Sequence, residues 1–137
     1  MDFGKCCDIG WRDALNAPSA IGMKHLKTLL ASRAWEKLVP DLDHQVMTAG
    51  YEKGGAYAPF ALASDGTFGL AYLPNSRSVT VVMRKFSRPV TAKWFDPTSG
   101  KITRISEVPL PNTGTHSFTP AKTNSSGDSD WVLILEP

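Results

Sequence analysis

Three acidic side chains of this 137-residue chain are the first candidates for chemistry, namely Asp41, Asp43 and Glu52. They flank the junction between a helical part and a β-patterned part, where a groove can form. Two carboxyl groups about 5–5.5 Å apart, or about 6.5–9.5 Å apart, can hydrolyse a glycosidic bond with retention or inversion. These three residues are therefore the candidate catalytic set. Asp65 and Asp96 instead occupy turn positions, where a short carboxylate caps the backbone.

Aromatic side chains offer a second kind of site, because their faces stack on the apolar side of a sugar ring while a few polar groups fix its orientation. Trp94 and Phe95 are neighbours on a predicted strand, so they point to opposite faces of the sheet. We expect Trp94 in the core. The candidate carbohydrate-binding residues are then the two expected to be exposed, Tyr57 and Phe95.

No metal or cofactor is expected. The histidines His25, His44 and His116 lie far apart in the sequence, and residues 41–44 (Asp-Leu-Asp-His) match no known ligand spacing. The chain has no Gly-x-Ser-x-Gly elbow and no phosphate-cradling glycine loop, which disfavours a serine hydrolase and a nucleotide site.

Charge and composition exclude other classes of function. Fifteen basic and 13 acidic residues give a net charge of +2, far from the excess of a dedicated nucleic-acid binder. No apolar run approaches the length of about 18 residues that indicates a transmembrane helix. The first eight residues lack the basic and apolar regions of a signal peptide, so we expect the chain as written to stay in the cytoplasm.

The chain divides into two parts with different hydrophobic periods, residues 1–50 and 51–137. In the first part, Pro18 follows a capping segment, and Met23, Leu26 and Leu29 recur at helical spacing, which predicts a helix over 17–32. A lone amphipathic helix must cover something or present its apolar stripe to a partner. This helix face could therefore form a homo-oligomer.

The second part has a period of two and predicts six or seven short strands separated by turns. Its last strand, residues 131–135, is apolar at every position, which is typical of a central strand covered on both faces. Short strands at this spacing favour an antiparallel β-sandwich, with a barrel as the alternative. The predicted fold is all-β, a sandwich with an N-terminal helical segment.

Several segments resemble the C-terminal region of apiosidase-like glycoside hydrolases, which are TIM-barrel enzymes whose barrel is followed by a small β-sandwich, often named a collagen-binding domain. The resemblance is collinear and covers nearly all of residues 11–137. The segments that carry it are residues 11–18, 23–26, 32–41, 62–73, 94–100 and 130–136.

The resemblance implies that residues 1–50 correspond to the end of a barrel and 51–137 to an accessory sandwich. The family's catalytic carboxylates lie on barrel strands, so none of them carries over to this sequence. The expected function is a non-catalytic accessory domain that supports a barrel or binds a polysaccharide or oligosaccharide. The alternatives are a small stand-alone glycosidase acting through Asp41, Asp43 and Glu52, and a protein-interaction module. The resemblance also implies that the parent family is exported.

Overall fold

The computed structural model of the chain describes residues 10–137, so the expectation for the first eight residues lies outside it. Helix α1 spans Trp11–Ala14 and helix α2 spans Pro18–Ala31, which confirms the helix predicted over 17–32. Proline suits the first position of α2 because it lacks an N–H that would be unpaired there anyway. A short 3₁₀ helix, Trp35–Lys37, follows α2 and leads into the first strand.

Nine antiparallel strands among the described residues form two sheets, which confirms the predicted sandwich. The strands are β1 Leu38–Pro40, β2 Met47–Ala49, β3 Phe60–Ala63, β4 Gly69–Leu73, β5 Val79–Val82, β6 Thr91–Phe95, β7 Ile102–Arg104, β8 Thr115–Phe118 and β9 Trp131–Glu136. The six-stranded sheet has the order β1-β3-β4-β9-β6-β7, and the three-stranded sheet has the order β2-β5-β8.

Strand β9 lies between β4 and β6 in the middle of the six-stranded sheet, as its continuous apolar sequence predicts. In its register, Leu133 lies opposite Trp94 of β6, and Val132 lies opposite Phe95. Successive side chains of a strand alternate between the two faces of its sheet. The pair Leu133 and Trp94 therefore faces the second sheet, while Val132 and Phe95 face the other way.

Each face of the six-stranded sheet has its own core. The inner cluster fills the space between the two sheets and includes Met47 and Phe118 from the small sheet with Leu133 from β9. The outer cluster lies on the opposite face, where Leu29 of α2 packs over Phe95 and its neighbours. The helix thus supplies a third layer over part of the sandwich.

A cluster of charges fastens the end of α2 to this outer face. The guanidinium of Arg33 donates to both carboxylate oxygens of Glu136, at 2.8 and 2.9 Å, and the ammonium of Lys93 donates to the same carboxylate at 2.8 Å. A bidentate arginine pair fixes orientation as well as distance. The helix is therefore held at its C-terminal end.

The sheets begin at Leu38, ahead of the boundary placed at residue 50. Strand β1 pairs with β3, and β2 pairs with β5, so both belong to the sheets although they precede residue 51. The division into a helical part and a sandwich at residue 50 stays a prediction about domains.

Candidate functional site

Asp41 follows β1 and organises the loop that leads to β2. Its Oδ1 accepts a hydrogen bond from the backbone N–H of Gln45 at 2.8 Å, and its Oδ2 accepts from Val46 and Met47, both at 2.9 Å. A carboxylate that receives several backbone N–H groups closes the loop around itself. The structure thus gives this candidate catalytic residue a structural role.

Asp43 and Glu52 are both exposed, and they lie in two loops that the fold brings together. The loops meet where the ring of His44 stacks on the ring of Tyr51. His44 is next to Asp43 in the sequence, and Tyr51 is next to Glu52. Glu52 has a φ of 50°, a left-handed conformation that few non-glycine residues adopt. An acid/base pairing of the two carboxyl groups stays a prediction.

Three rings, His44, Tyr51 and Tyr57, form what we call the aromatic site. The His44 and Tyr51 rings are stacked with centroids 3.6 Å apart and an interplanar angle of 2°, and Tyr57 meets His44 edge-on at 6.0 Å. All three side chains are half-buried. The candidate residue Tyr57 therefore belongs to a cluster whose two other members sequence reasoning did not place together.

The loop that carries the two tyrosines is held by its own backbone and by Arg77. The Arg77 guanidinium donates to the backbone oxygens of Gly50 and Ala56, and the N–H of Ala58 donates to the oxygen of Tyr51 at 2.8 Å. Gly50 has a φ of 86°, and a Cβ there would lie 2.4 Å from the oxygen of Ser78. Only glycine fits at that position, so the entry to the loop is fixed.

A cavity of about 440 Å³ adjoins Tyr51 and is lined by polar and backbone groups. Thr48, Glu52 and Lys53 are among the residues that line it, and all three are exposed. Among the described residues, no hydrogen-bond or ion-pair partner is found for the Glu52 carboxylate or the Lys53 ammonium. The cavity thus joins one aromatic wall to polar groups that are free to bind a ligand.

The expected exposure of Phe95 is wrong. Only 3% of its surface is exposed, because α2 covers the outer face of the six-stranded sheet and Phe95 packs there with Leu29. Trp94 is 7% exposed and lies in the inner cluster, as predicted. Strand β6 is therefore buried on both faces here, with Trp94 in the inner cluster and Phe95 in the outer one. The ring of Phe95 is not accessible to a sugar.

The second concave surface is an apolar groove of about 630 Å³ between α2 and the six-stranded sheet. We call it the apolar groove, and its lining includes Met23, Leu26, Leu38, Leu70, Tyr72 and Pro97. It exists because α2 is held at its C-terminal end, where Leu29 is 3% exposed, while Met23 nearer the N-terminal end is 65% exposed. The groove offers almost no polar chemistry.

The two turn aspartates behave as predicted. Asp65 Oδ1 accepts from the backbone N–H of Thr67 at 3.1 Å, and Asp96 Oδ1 accepts from that of Thr98 at 2.8 Å. Burial opposes ionisation of Asp96, but hydrogen bonds from Ser125, Thr98 and Ser99 outweigh it and lower its pKa to about 2. Hydrogen bonds from Thr67 and Lys37 also lower the pKa of Asp65. Both carboxylates therefore stabilise the turns in which they lie.

The described part of the chain shows neither a metal site nor a membrane span. No group of three or more histidine, cysteine, aspartate or glutamate side chains is placed to hold a metal ion there. No helix among residues 10–137 is long and apolar enough to cross a membrane.

Comparison with known proteins agrees with a two-sheet β-sandwich domain. Residues 39–136 match the family described as the putative collagen-binding domain of a collagenase. The chain belongs to this family, and the resemblance found in its sequence is confirmed. No curated protein matches the chain significantly.

Two solved structures share the fold over almost the whole chain. One is described as a glycoside hydrolase, with 23% identity and a TM-score of 0.77, covering 99% of this chain. The other is a glycoside hydrolase family 5 protein from Bacteroides vulgatus ATCC 8482, with 26% identity and a TM-score of 0.77, covering 93% of this chain. The chain spans only 30% and 26% of those proteins, so it corresponds to a small accessory domain within them.

Proposed function

We propose that this chain is a non-catalytic accessory domain of a glycoside hydrolase and packs against the catalytic domain. The observation that carries the proposal is a concentration of exposed apolar side chains on α2 and on the segments before and after it, from residue 15 to residue 42. These are Leu15, Ile21, Met23, Leu26, Trp35, Val39 and Leu42. The two similar glycoside hydrolases, in which the matching region is about a quarter to a third of the chain, support a neighbouring catalytic domain.

The physical reason is the cost of exposing such a surface to water. Burial of apolar area contributes about 25 cal/mol per Å², and large contiguous apolar patches mark interaction sites in folded proteins. The apolar groove lies beside this patch, since Met23 and Leu26 belong to both. A catalytic domain that inserts apolar side chains into the groove would complete the cover of the outer face.

The test adds the chain to the separately produced catalytic domain of the Bacteroides vulgatus protein, from which the matching region has been removed. We expect the wild-type chain to raise the midpoint of thermal unfolding of that domain, because a partner that binds only the folded state stabilises it. The double variant Met23→Glu/Leu26→Glu should lose this effect. Val108→Glu is the matched control, since Val108 is 68% exposed but lies on the loop between β7 and β8.

Two results would contradict the proposal. The first is an unchanged midpoint with the wild-type chain, and the second is an equal rise with the double variant. Circular dichroism of each variant establishes beforehand that it is folded.

A second role, binding of a polysaccharide or oligosaccharide, is favoured by the aromatic site. Tyr51 and Tyr57 are half-buried rings of one loop, and Tyr51 also lines a cavity together with Glu52 and Lys53. Retention of the chain on a panel of insoluble polysaccharides tests this role, and uniform absence of retention would reject it.

The two alternatives from the sequence have weaker support. In a stand-alone glycosidase, Asp41 is the weakest of the three candidates because its carboxylate already accepts from three backbone N–H groups. Asp43 and Glu52 would then have to supply the two carboxyl groups. A protein-interaction module is consistent with the apolar patch, and the family's description names collagen. A triple-helical collagen peptide added to the binding panel separates that partner from carbohydrate.

A further inference from the structure

We propose that the aromatic site and the cavity beside it bind a neutral sugar ring, with Tyr51 and Tyr57 as the principal contacts. The inference rests on the proposed carbohydrate-binding role and assigns it a place and a ligand class. It moves the site away from Phe95 and onto the loops that contain residues 44 and 50–57.

The shape of the surface favours a ring-shaped ligand. Residues of these two loops form a pair of stacked rings, His44 on Tyr51, with Tyr57 edge-on to the pair. The cavity of about 440 Å³ that includes Tyr51 is large enough for a small ligand, since such sites start at about 300 Å³. The half-buried Tyr51 ring gives the cavity an apolar wall, and Tyr57 adds a second ring to the same cluster.

Two side chains beside that wall have unused hydrogen-bonding capacity. Glu52 can only accept hydrogen bonds, and Lys53 can only donate them. Among the residues that the structure describes, neither is found paired. A sugar hydroxyl both donates and accepts, so two hydroxyl groups of one ring can satisfy both side chains at once. An anionic ligand would satisfy Lys53 but would be repelled by Glu52, and the opposite holds for a cationic ligand.

The loop is preorganised before any ligand binds. Arg77 ties the backbone oxygens of Gly50 and Ala56 to one guanidinium. Residues His44 and Glu52 both have positive φ angles, 53° and 50°. Such conformations cost about 1–3 kcal/mol each and persist only where surrounding contacts impose them. A ligand therefore meets rings that are already in place, which lowers the entropy cost of binding.

The experiment is isothermal titration calorimetry of the full chain with four neutral oligosaccharides: cellotetraose, xylotetraose, mannotetraose and laminaritetraose. At least one should bind. The variants Tyr57→Ala and Tyr51→Ala should each weaken its association constant about tenfold or more, as expected for a central aromatic contact. Glu52→Gln, which keeps the shape but removes the charge, should weaken it by a smaller factor.

Tyr72→Ala is the matched control, because Tyr72 is the third tyrosine of the chain and lines the apolar groove instead. It should leave the association constant unchanged. Thermal unfolding of every variant identifies any loss of fold, and Tyr57→Phe supplies a milder substitution if Tyr57→Ala does not fold.

The outcomes separate this inference from the role on which it rests. If the wild-type chain binds none of the four sugars at millimolar concentration, the site is overturned for these neutral sugars, and retention on the polysaccharide panel decides the general role. If a sugar binds but both tyrosine variants bind it equally well, the site is wrong while the role stands. If only Tyr72→Ala loses binding, the sugar lies in the apolar groove, which also overturns the inference.

Discussion

The two faces of the six-stranded sheet are covered in different ways. The inner face meets a second sheet, and Leu73, Leu133 and Leu135 there are all 0% exposed. The outer face meets one helix, which touches the sheet at Leu29 but leaves the apolar groove open beside Leu70. The three-stranded sheet buries the inner face of the central strands fully, whereas a single helix about 10 Å wide covers only a strip of the outer face.

This difference shows which part of the chain is complete in itself. The inner core resembles the interior of an independent domain, while the outer face ends in a groove and a helix with exposed apolar residues. We attribute the first to folding and the second to association. Substitutions in the inner core should therefore mainly lower the free energy of unfolding, whereas substitutions of exposed residues on α2 should mainly weaken association.

The largest effect should come from Leu133→Ala in the inner core. Removal of a buried leucine side chain costs about 2–5 kcal/mol of the free energy of unfolding, and Leu133 is 0% exposed in the central strand. Leu70→Ala is the matched change on the outer face and should cost less, because Leu70 borders the open groove. Urea unfolding measures both. Equal losses would mean that the outer face is as well packed as the inner one.

Asp41→Ala should cost about 2 kcal/mol of the free energy of unfolding, because the N–H groups of Val46 and Met47 lose their acceptor. Asp43→Ala is the control and should change it by less than about 0.5 kcal/mol, since Asp43 is exposed. Chemical unfolding measures both variants. If Asp41→Ala kept full stability but removed activity toward aryl glycosides, the stand-alone glycosidase would be the better interpretation.

Hydrophobic pattern was sufficient to predict the main strands and α2, since each has a long apolar repeat. The position of β9 followed from its sequence because only a strand with two covered faces is apolar at every residue. Strands β1 and β2 were missed because each has three residues, too few to show a period, and their pairing with β3 and β5 is set by tertiary contacts.

The site was harder to predict than the fold for the same reason. Phe95 was expected at the surface because alternation along a strand says nothing about what covers its second face. The sequence indicates Tyr57 only as a single aromatic residue. Its place in a candidate binding site depends on His44 and Tyr51, which the fold brings into one cluster with it. Gly50 and Gly54 were the available sign of turns in this loop, since glycine readily adopts the positive φ that both have here.

Glu136→Gln should cost about 1 kcal/mol at neutral pH by weakening the attachment of α2. Burial opposes ionisation of Glu136, but Arg33 and Lys93 outweigh it and lower its pKa below the ordinary 4.5. A carboxyl group whose pKa is lowered by folding stabilises the fold at pH values above its ordinary pKa. That stability is lost as the pH falls through the lowered pKa of the folded state. Urea unfolding at about pH 7 and about pH 3 should therefore show a smaller difference between wild type and variant at the acidic pH. A constant difference would contradict the assignment of this effect to the ionised carboxylate.

The smallest effect on stability should come from Met23→Ser on the groove side of α2. Met23 is 65% exposed, so the free energy of unfolding should change by less than about 0.5 kcal/mol. If the isolated chain forms a homo-oligomer through α2, sedimentation velocity should show less of it for this variant, because the apolar contact area is reduced. Val108→Ser, at 68% exposure on the loop between β7 and β8, should leave self-association unchanged. A wild-type chain that stays monomeric at high concentration would exclude the homo-oligomer and leave the patch to a different partner, as the proposed packing on a catalytic domain requires.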